Sequence, residues 1–315
     1  MQKRFIILFC LAGVLSAVPS RGAKARDDLQ RGEQLEKAGQ TEASIAAYLR
    51  AVSADPASAQ AYAGLGRGYF RSGKYTEARS SFEKGFQLKP DDTEILNWLG
   101  RCYLQDHRPE EVLALVSRAS SPAAHSARAH LLLARAYEAQ EKLKEARQEI
   151  HEALTLDPHC RGAHFAEGFI DWSIGDPSGA LKELRQEVAL DPAGILPSFY
   201  LAEVLESQGD FSGAGSVIAK MGQNNPNAYF YHLSLGKLLE RQQSYPAASQ
   251  SFERAIQADP TQPDAHYHLA ILLRRLGEAA RSNEEFKIFS TLRAEARCPL
   301  GQGMGRMRPH LPDFE

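Results

Sequence analysis

Residues 61–90 read AYAGLGRGYFRSGKYTEARSSFEKGFQLKP, from Ala61 to Pro90, and the pattern they carry returns along the chain. Stepping by 34 residues gives Pro56, Pro90, Pro158, Pro192, Pro226 and Pro260, with one missed beat at Ala124, where Pro122 lies two residues earlier. A fixed period of this length marks a repeat array. Other columns keep the same beat. One is always small: Gly32, Gly66, Gly100, Ala134, Gly168, Ala202, Gly236 and Ala270. A second runs Ser44, Ala78, Val112, Ala146, Ala180, Ala214, Ala248 and Ser282. A third is bulky: Tyr48, Phe82, Val116, Ile150, Leu184, Ile218, Phe252 and Phe286. Two antiparallel helices approach closely where side chains are small, and a bulky residue fills the space beside them. The proline ends the second helix, because it cannot continue one and turns the preceding residue away from helix.

These residues resemble the tetratricopeptide repeat family. Leu65, Gly66, Tyr69, Ala78, Phe82 and Pro90 match the family's pattern within one repeat. The periodicity covers eight repeats, near 25–58, 59–92, 93–126, 127–160, 161–194, 195–228, 229–262 and 263–296. The resemblance implies an all-α, right-handed superhelical solenoid of helix–turn–helix repeats. It also implies a scaffold whose first helices line a concave groove for peptides and whose second helices form the convex back. Because many functions share one fold, this narrows function less than architecture.

The composition is that of a soluble globular protein, 43% hydrophobic and 24% charged, with a net charge of −2 and therefore no overall basic field for nucleic acid. Lys3 and Arg4 precede an apolar run over residues 5–18, which is short for a membrane span and suits a secretory leader over residues 1–23. Cleavage after Ser20 or after Ala25 both fit. An uncleaved anchor and a lipid attachment at Cys10 are minority readings, the second opposed by Phe9. Export implies a periplasmic or secreted, bacterial protein. Cys102, Cys160 and Cys298 are too few and too scattered for a disulfide framework. The tail over residues 297–315, rich in Gly, Pro and Met, is expected to be disordered.

The repeats differ in ways that bear on function. The first has a polar opening helix, as a terminal cap should. The third replaces its Asp-Pro by SRASSPAAHSA, read as a looser turn. In the fifth, Glu167 and Asp171 stand where other repeats hold Leu and Tyr, one turn apart, with His164 a turn earlier. They suggest a metal or acid–base site, or else ion pairs with a neighbouring repeat. His130, His164, His232 and His266 share one column and read as packing residues, and His268, two residues from His266, does not share its face.

No phosphate loop, nucleophile elbow or HExxH occurs, so no enzyme chemistry and no cofactor is expected. Taking the groove from the family resemblance, its columns can be placed by phase. One is basic at Arg67, Arg101 and Arg135; a neighbouring one holds Asn97, then Phe165, Phe199 and Tyr267, joined by Phe169, Trp172 and Phe230. Such a groove is cationic in its N-terminal half and aromatic beyond, and suits an extended partner segment with acidic and bulky apolar residues. A non-catalytic adaptor of the cell envelope follows. The alternatives are a structural subunit assembling through its convex face or ends, and a metal or small-ligand protein using His164, Glu167 and Asp171. The lysine-and-asparagine clamp by which some family members hold chaperone tails is not matched, since Asn97 stands among arginines.

Overall fold

Proline and aspartate end the second helices in a uniform way. Asp55, Asp157 and Asp259 each leave the helix in extended backbone, and each Oδ1 accepts the N–H two residues on, from Ala57 (3.1 Å), His159 (2.9 Å) and Thr261 (3.0 Å). The Asp-Pro column is thus a stop and a turn in one. First helices begin with a cap at Ser58, which accepts from Ala61 N–H, and at Ser126, which accepts from Ala129 N–H, each at 3.2 Å.

The computed structural model describes residues 21–119 and 121–296. Among them are seventeen helices and no strand. Most of the expected leader, with Cys10, and the whole tail, with Cys298, lie outside the described residues. The described residues fall into two compact units that divide between Cys102 and Tyr103. The first contains α1 (Arg21–Lys37), α2 (Thr41–Ala54), α3 (Ala59–Arg71), α4 (Tyr75–Leu88) and most of α5 (Thr93–Gln105). The second contains α6 (Pro109–Arg118), α7 (Ser121–Ala124), α8 (Ala127–Ala139), α9 (Leu143–Leu156), α10 (Ala163–Ile174), α11 (Pro177–Leu190), α12 (Ile195–Ser207), α13 (Phe211–Asn224), α14 (Tyr229–Arg241), α15 (Tyr245–Ala258), α16 (Pro263–Arg275) and α17 (Ala279–Ala296). Within each unit a helix packs mainly on its neighbours in sequence, which makes the chain an all-α repeat solenoid. Where the sequence suggested a loose turn after the third repeat, α6 stops early at Arg118 and the short helical turn α7 follows.

The small and bulky columns meet face to face. A Cβ placed on Gly66 would lie 2.7 Å from the Phe82 ring, on Gly32 2.5 Å from Tyr48, and on Gly236 2.5 Å from Phe252. The rings are fully buried. The next repeat then covers each ring with the residue sixteen positions on. Gly64 lies against Tyr48, Trp98 stacks on Phe82 (5.9 Å between centroids, 5° between planes), and His268 stacks on Phe252 (5.4 Å, 14°). Burial pushes the His268 imidazole down to about 4, with Lys237 acting in the same sense, so it packs as a neutral ring.

This contact predicts a coupled mutant pair. Gly66→Ala should cost about 1–3 kcal/mol by overpacking against Phe82. Gly66→Ala with Phe82→Leu should cost at least about 0.5 kcal/mol less than the sum of the two single changes. Elsewhere in the chain Ala134 and Ala202 occupy the small column in repeats whose bulky residues are Ile150 and Ile218. Urea unfolding of the four proteins measures the coupling, and additive effects would refute the contact.

Candidate functional site

In the first unit, α1, α3 and the start of α5 border an open cavity of about 830 Å³. Its central feature is the fork of Arg67. Nε and Nη2 donate to the two carboxylate oxygens of Glu36 (2.8 and 3.0 Å), and Nη1 donates to Glu94 (2.8 Å). Arg71 Nη1 also donates to Glu36 (2.8 Å), as does the Tyr48 hydroxyl (2.7 Å). Burial pushes the Glu36 carboxyl up, but the donors Arg67 and Tyr48 and the charges of Arg67 and Arg71 outweigh it and hold Glu36 below the ordinary carboxylate range. The Glu36 side chain is 12% exposed, whereas Glu94 is 55% exposed and Arg71 48%. One acid is therefore locked in and the other is loosely held.

The basic ladder read from the sequence is consequently not a free cationic face. Arg67 is paired with carboxylates on both sides. Arg101 is a buried residue whose guanidinium lies 4.1 Å over the Trp98 ring and 5.2 Å over Phe70. Asn97 and Arg135 are half-buried. In the second unit Phe165, Phe169 and Phe199 are buried as well, because α10 and α12 turn their aromatic columns into the inter-helix core around Tyr200. Of the expected aromatic surface, Trp172 and Phe230 are half-buried and Tyr267 is exposed, resting edge-on against Phe286 and tilted against Phe289.

Pairing recurs on the first helices of the second unit. Lys237 Nζ reaches Glu203 (2.9 Å) and Arg241 Nε reaches Glu206 (3.1 Å). Glu206 to Arg241 repeats the sequence offset of Glu36 to Arg71, one repeat plus one residue. The fifth repeat follows the ion-pair alternative: Arg147, from α9, donates to Glu167 (2.8 Å) and also binds Asp171. His164 Nδ1 bonds Glu183 at 2.8 Å. The same link, nineteen residues long, joins His130 to Glu149 and His266 to Glu285 at 2.7 and 2.6 Å. His232 has Ser251 in place of a glutamate nineteen residues on, and its Nδ1 has no hydrogen-bond partner. Among the described residues no group of three or more His, Cys, Asp or Glu side chains is placed to hold a metal ion. None of their helices is long and apolar enough to cross a membrane. Cys102 and Cys160 are buried and form no disulfide.

The depressed Glu36 carboxyl gives a signed pH effect. A carboxylate whose folded pKa lies below its unfolded value adds stability above the unfolded value and loses it as the pH falls through the folded one. The intact chain should therefore lose urea resistance more steeply than Glu36→Gln below about pH 4. At pH 7 the substitution should cost about 1–3 kcal/mol, since it weakens charge-assisted bonds to Arg67 and Arg71. Parallel stability curves for the two proteins would contradict the assignment.

Comparison with curated protein sequences finds no match. Sequence profiles described as "Tetratricopeptide repeat" match residues 29–85, 69–128 and 127–160, and one described as "TPR repeat" matches residues 236–277. Among solved structures, a tetratricopeptide repeat protein from Parabacteroides merdae superposes with a TM-score of 0.61 at 15% identity, over 80% of this chain and 100% of the other. The APC/C hetero-tetramer Cut9–Hcn1 gives 0.60 at 12% identity, over 81% and 53%. PilW, a type IV pilus biogenesis factor, gives 0.56 at 18% identity, over 67% and 98%. At these identities the likeness is one of fold. Together with the 34-residue columns and the paired helices, the matched profiles make this chain a member of the tetratricopeptide repeat family.

Proposed function

We propose that the chain is a non-catalytic scaffold that holds an extended, acidic segment of a protein partner against α1, α3 and α5. The observation that carries this reading is the unequal grip on Arg67. Glu36 holds two of its nitrogens from a sheltered position, while Glu94 holds the third from an exposed one. A partner carboxylate can take the place of Glu94 on Nη1 and reach the exposed Arg71 beside it, without unmaking the fork to Glu36. Charge-assisted, directional bonds of this kind give register to an extended peptide. Lys37 borders the same cavity, as does Lys89, whose ammonium is paired with Asp92 at 3.0 Å.

The buried Arg101, Phe165, Phe169 and Phe199 take no direct part in this reading. Trp172, Phe230 and Tyr267 offer apolar contacts on the second unit for bulky residues of a partner. Location in the cell envelope rests on the sequence alone, namely on Lys3, Arg4 and the apolar run that follows them.

Capture from an envelope extract on the immobilised chain tests the reading. Arg67→Ala with Arg71→Ala should lose the captured partner, and Glu94→Gln should bind it several-fold more tightly by removing the internal competitor. Arg50→Ala, which breaks an exposed pair with Asp28 on the other helix of the same repeat, should leave capture unchanged. Equal capture by all four proteins would overturn the proposed site.

A further inference from the structure

On the second-helix side of the other unit, α9 and α11 border a cavity of about 710 Å³ into which three successive turns of α10 bring His164, Glu167 and Asp171. The chain itself shows what ordinarily fills this space. The column of Glu167 holds Leu65, Leu99, Leu133, Leu201, Leu235 and Leu269 in other repeats. The column of Asp171 holds only Tyr or Leu. An apolar plug has thus been replaced by two acids, and both are more than nine-tenths buried, at 7% and 4% exposure.

Charge is not balanced at this site. Three buried carboxylates line it: Glu167, Asp171 and Glu183. Against them stand two permanent cations, the partly exposed Arg147, which Glu167 and Asp171 share, and Lys182, whose largely exposed ammonium touches Glu183 at 2.6 Å; two imidazoles also reach them, His164 on Glu183 at 2.8 Å and His151 at 3.8 Å from Glu167. Glu167 Oε2 has no hydrogen-bond donor although the atom is enclosed. Burial pushes the Asp171 carboxyl above the usual range, Arg147 pulls it back, and Glu167 and Glu183 push it further up, so the pocket favours added positive charge. Gly179 lets the Asp171 carboxylate sit against the α11 backbone: a Cβ there would lie 2.5 Å from Asp171 Oδ2 and 2.7 Å from Asp176 Oδ2, where the three preceding repeats carry Glu77, Glu111 and Glu145.

A partly apolar extension joins the acidic end. A second cavity of about 400 Å³ shares Leu154, His164 and Gln186 with the first and adds Pro158, His159, Ala189 and Leu190. An acidic end with one unpartnered carboxylate oxygen, continued by an open groove to which Leu154, Pro158, Ala189 and Leu190 give aliphatic surface, fits a chain of methylenes ending in an ammonium group. Such a group is compact, carries three donors and can bury its stem along apolar surface.

We propose that this cavity binds an alkylammonium group, presented either by a free diamine or by a lysine side chain of a protein partner. The site is built from α9, α10 and α11 of the second unit and shares no residue with the groove on the first, so either proposal can fail alone.

Calorimetric titration of the full chain tests it with three probes: cadaverine, the peptide acetyl-Gly-Lys-Gly-amide, and 1-pentanol as an uncharged control. The expected result is saturable binding of one ammonium probe per chain, at least tenfold weaker in Glu167→Leu with Asp171→Tyr, and no binding of 1-pentanol. The double variant installs residues that the same columns already hold elsewhere, and its melting curve reports whether it folds. Gly179→Ala is the second variant; its methyl group crowds Asp171 Oδ2, and it too should weaken binding. Preference for cadaverine assigns the site to free diamines, and preference for the peptide assigns it to a lysine. Failure of both ammonium probes to bind, equal binding by parent and variants, or binding of 1-pentanol would overturn the proposal.

Discussion

Where Gly66 meets Phe82 and Gly236 meets Phe252, no room remains for one methyl group. The two helices of a repeat can therefore cross only at the spacing that the ring sets. The ring's outer face is then closed by the following repeat, through Trp98 on Phe82 and His268 on Phe252. Each repeat is thus unfinished until its neighbour arrives, which is why the period has to be kept so strictly. Everything else hangs on that spacing. It brings residues one repeat apart onto neighbouring turns of adjacent first helices, and so decides which charges meet.

Those meetings explain the electrostatics of both faces. Glu36 with Arg71 and Glu206 with Arg241 are the same geometric relation in two units. Charges on the first helices are spent largely on neighbouring repeats, and a ligand must compete with an internal partner. At Arg67 that competition is uneven, because Glu36 is sheltered and Glu94 is not. At α10 the balance tips the other way: three carboxylates face two permanent cations and two imidazoles, in a place where other repeats spend Leu and Tyr on packing. Buried ionic groups of this kind contribute little to stability compared with apolar residues of similar volume. Their presence therefore asks for a purpose that the fold alone does not supply.

The columns were legible in the sequence because a steric rule leaves a periodic trace. Gly or Ala opposite a bulky residue, with Asp-Pro at the stop, needs no knowledge of the third dimension. Burial of Arg101, Phe165, Phe169 and Phe199 was not legible. Phase places a residue on a helix face, but which part of that face the next helix covers depends on how far its own side chains reach. The partners of Arg67 were missed for a related reason. Glu36 and Glu94 sit in different columns from Arg67, at offsets of 31 and 27 residues, so a search along columns passes them by. An acid–base search at offsets near one repeat length would have found Glu36–Arg71, Glu203–Lys237 and Glu206–Arg241. The histidine column, which the sequence presents as packing, holds three histidines bonded to Glu149, Glu183 and Glu285 at a constant nineteen residues, a spacing that is visible in the sequence.

The claim on which the functional account turns is that a partner lies on the first helices of the first unit. Hydroxyl-radical footprinting with mass spectrometry, on the chain alone and with its captured partner, tests this most directly. Arg67 and Arg71 should lose reactivity in the complex, while the exposed Leu49, Tyr75 and Leu88 on α2 and α4 keep theirs. Protection of Leu49, Tyr75 and Leu88 with Arg67 and Arg71 unchanged would place the partner on the second helices and contradict the account.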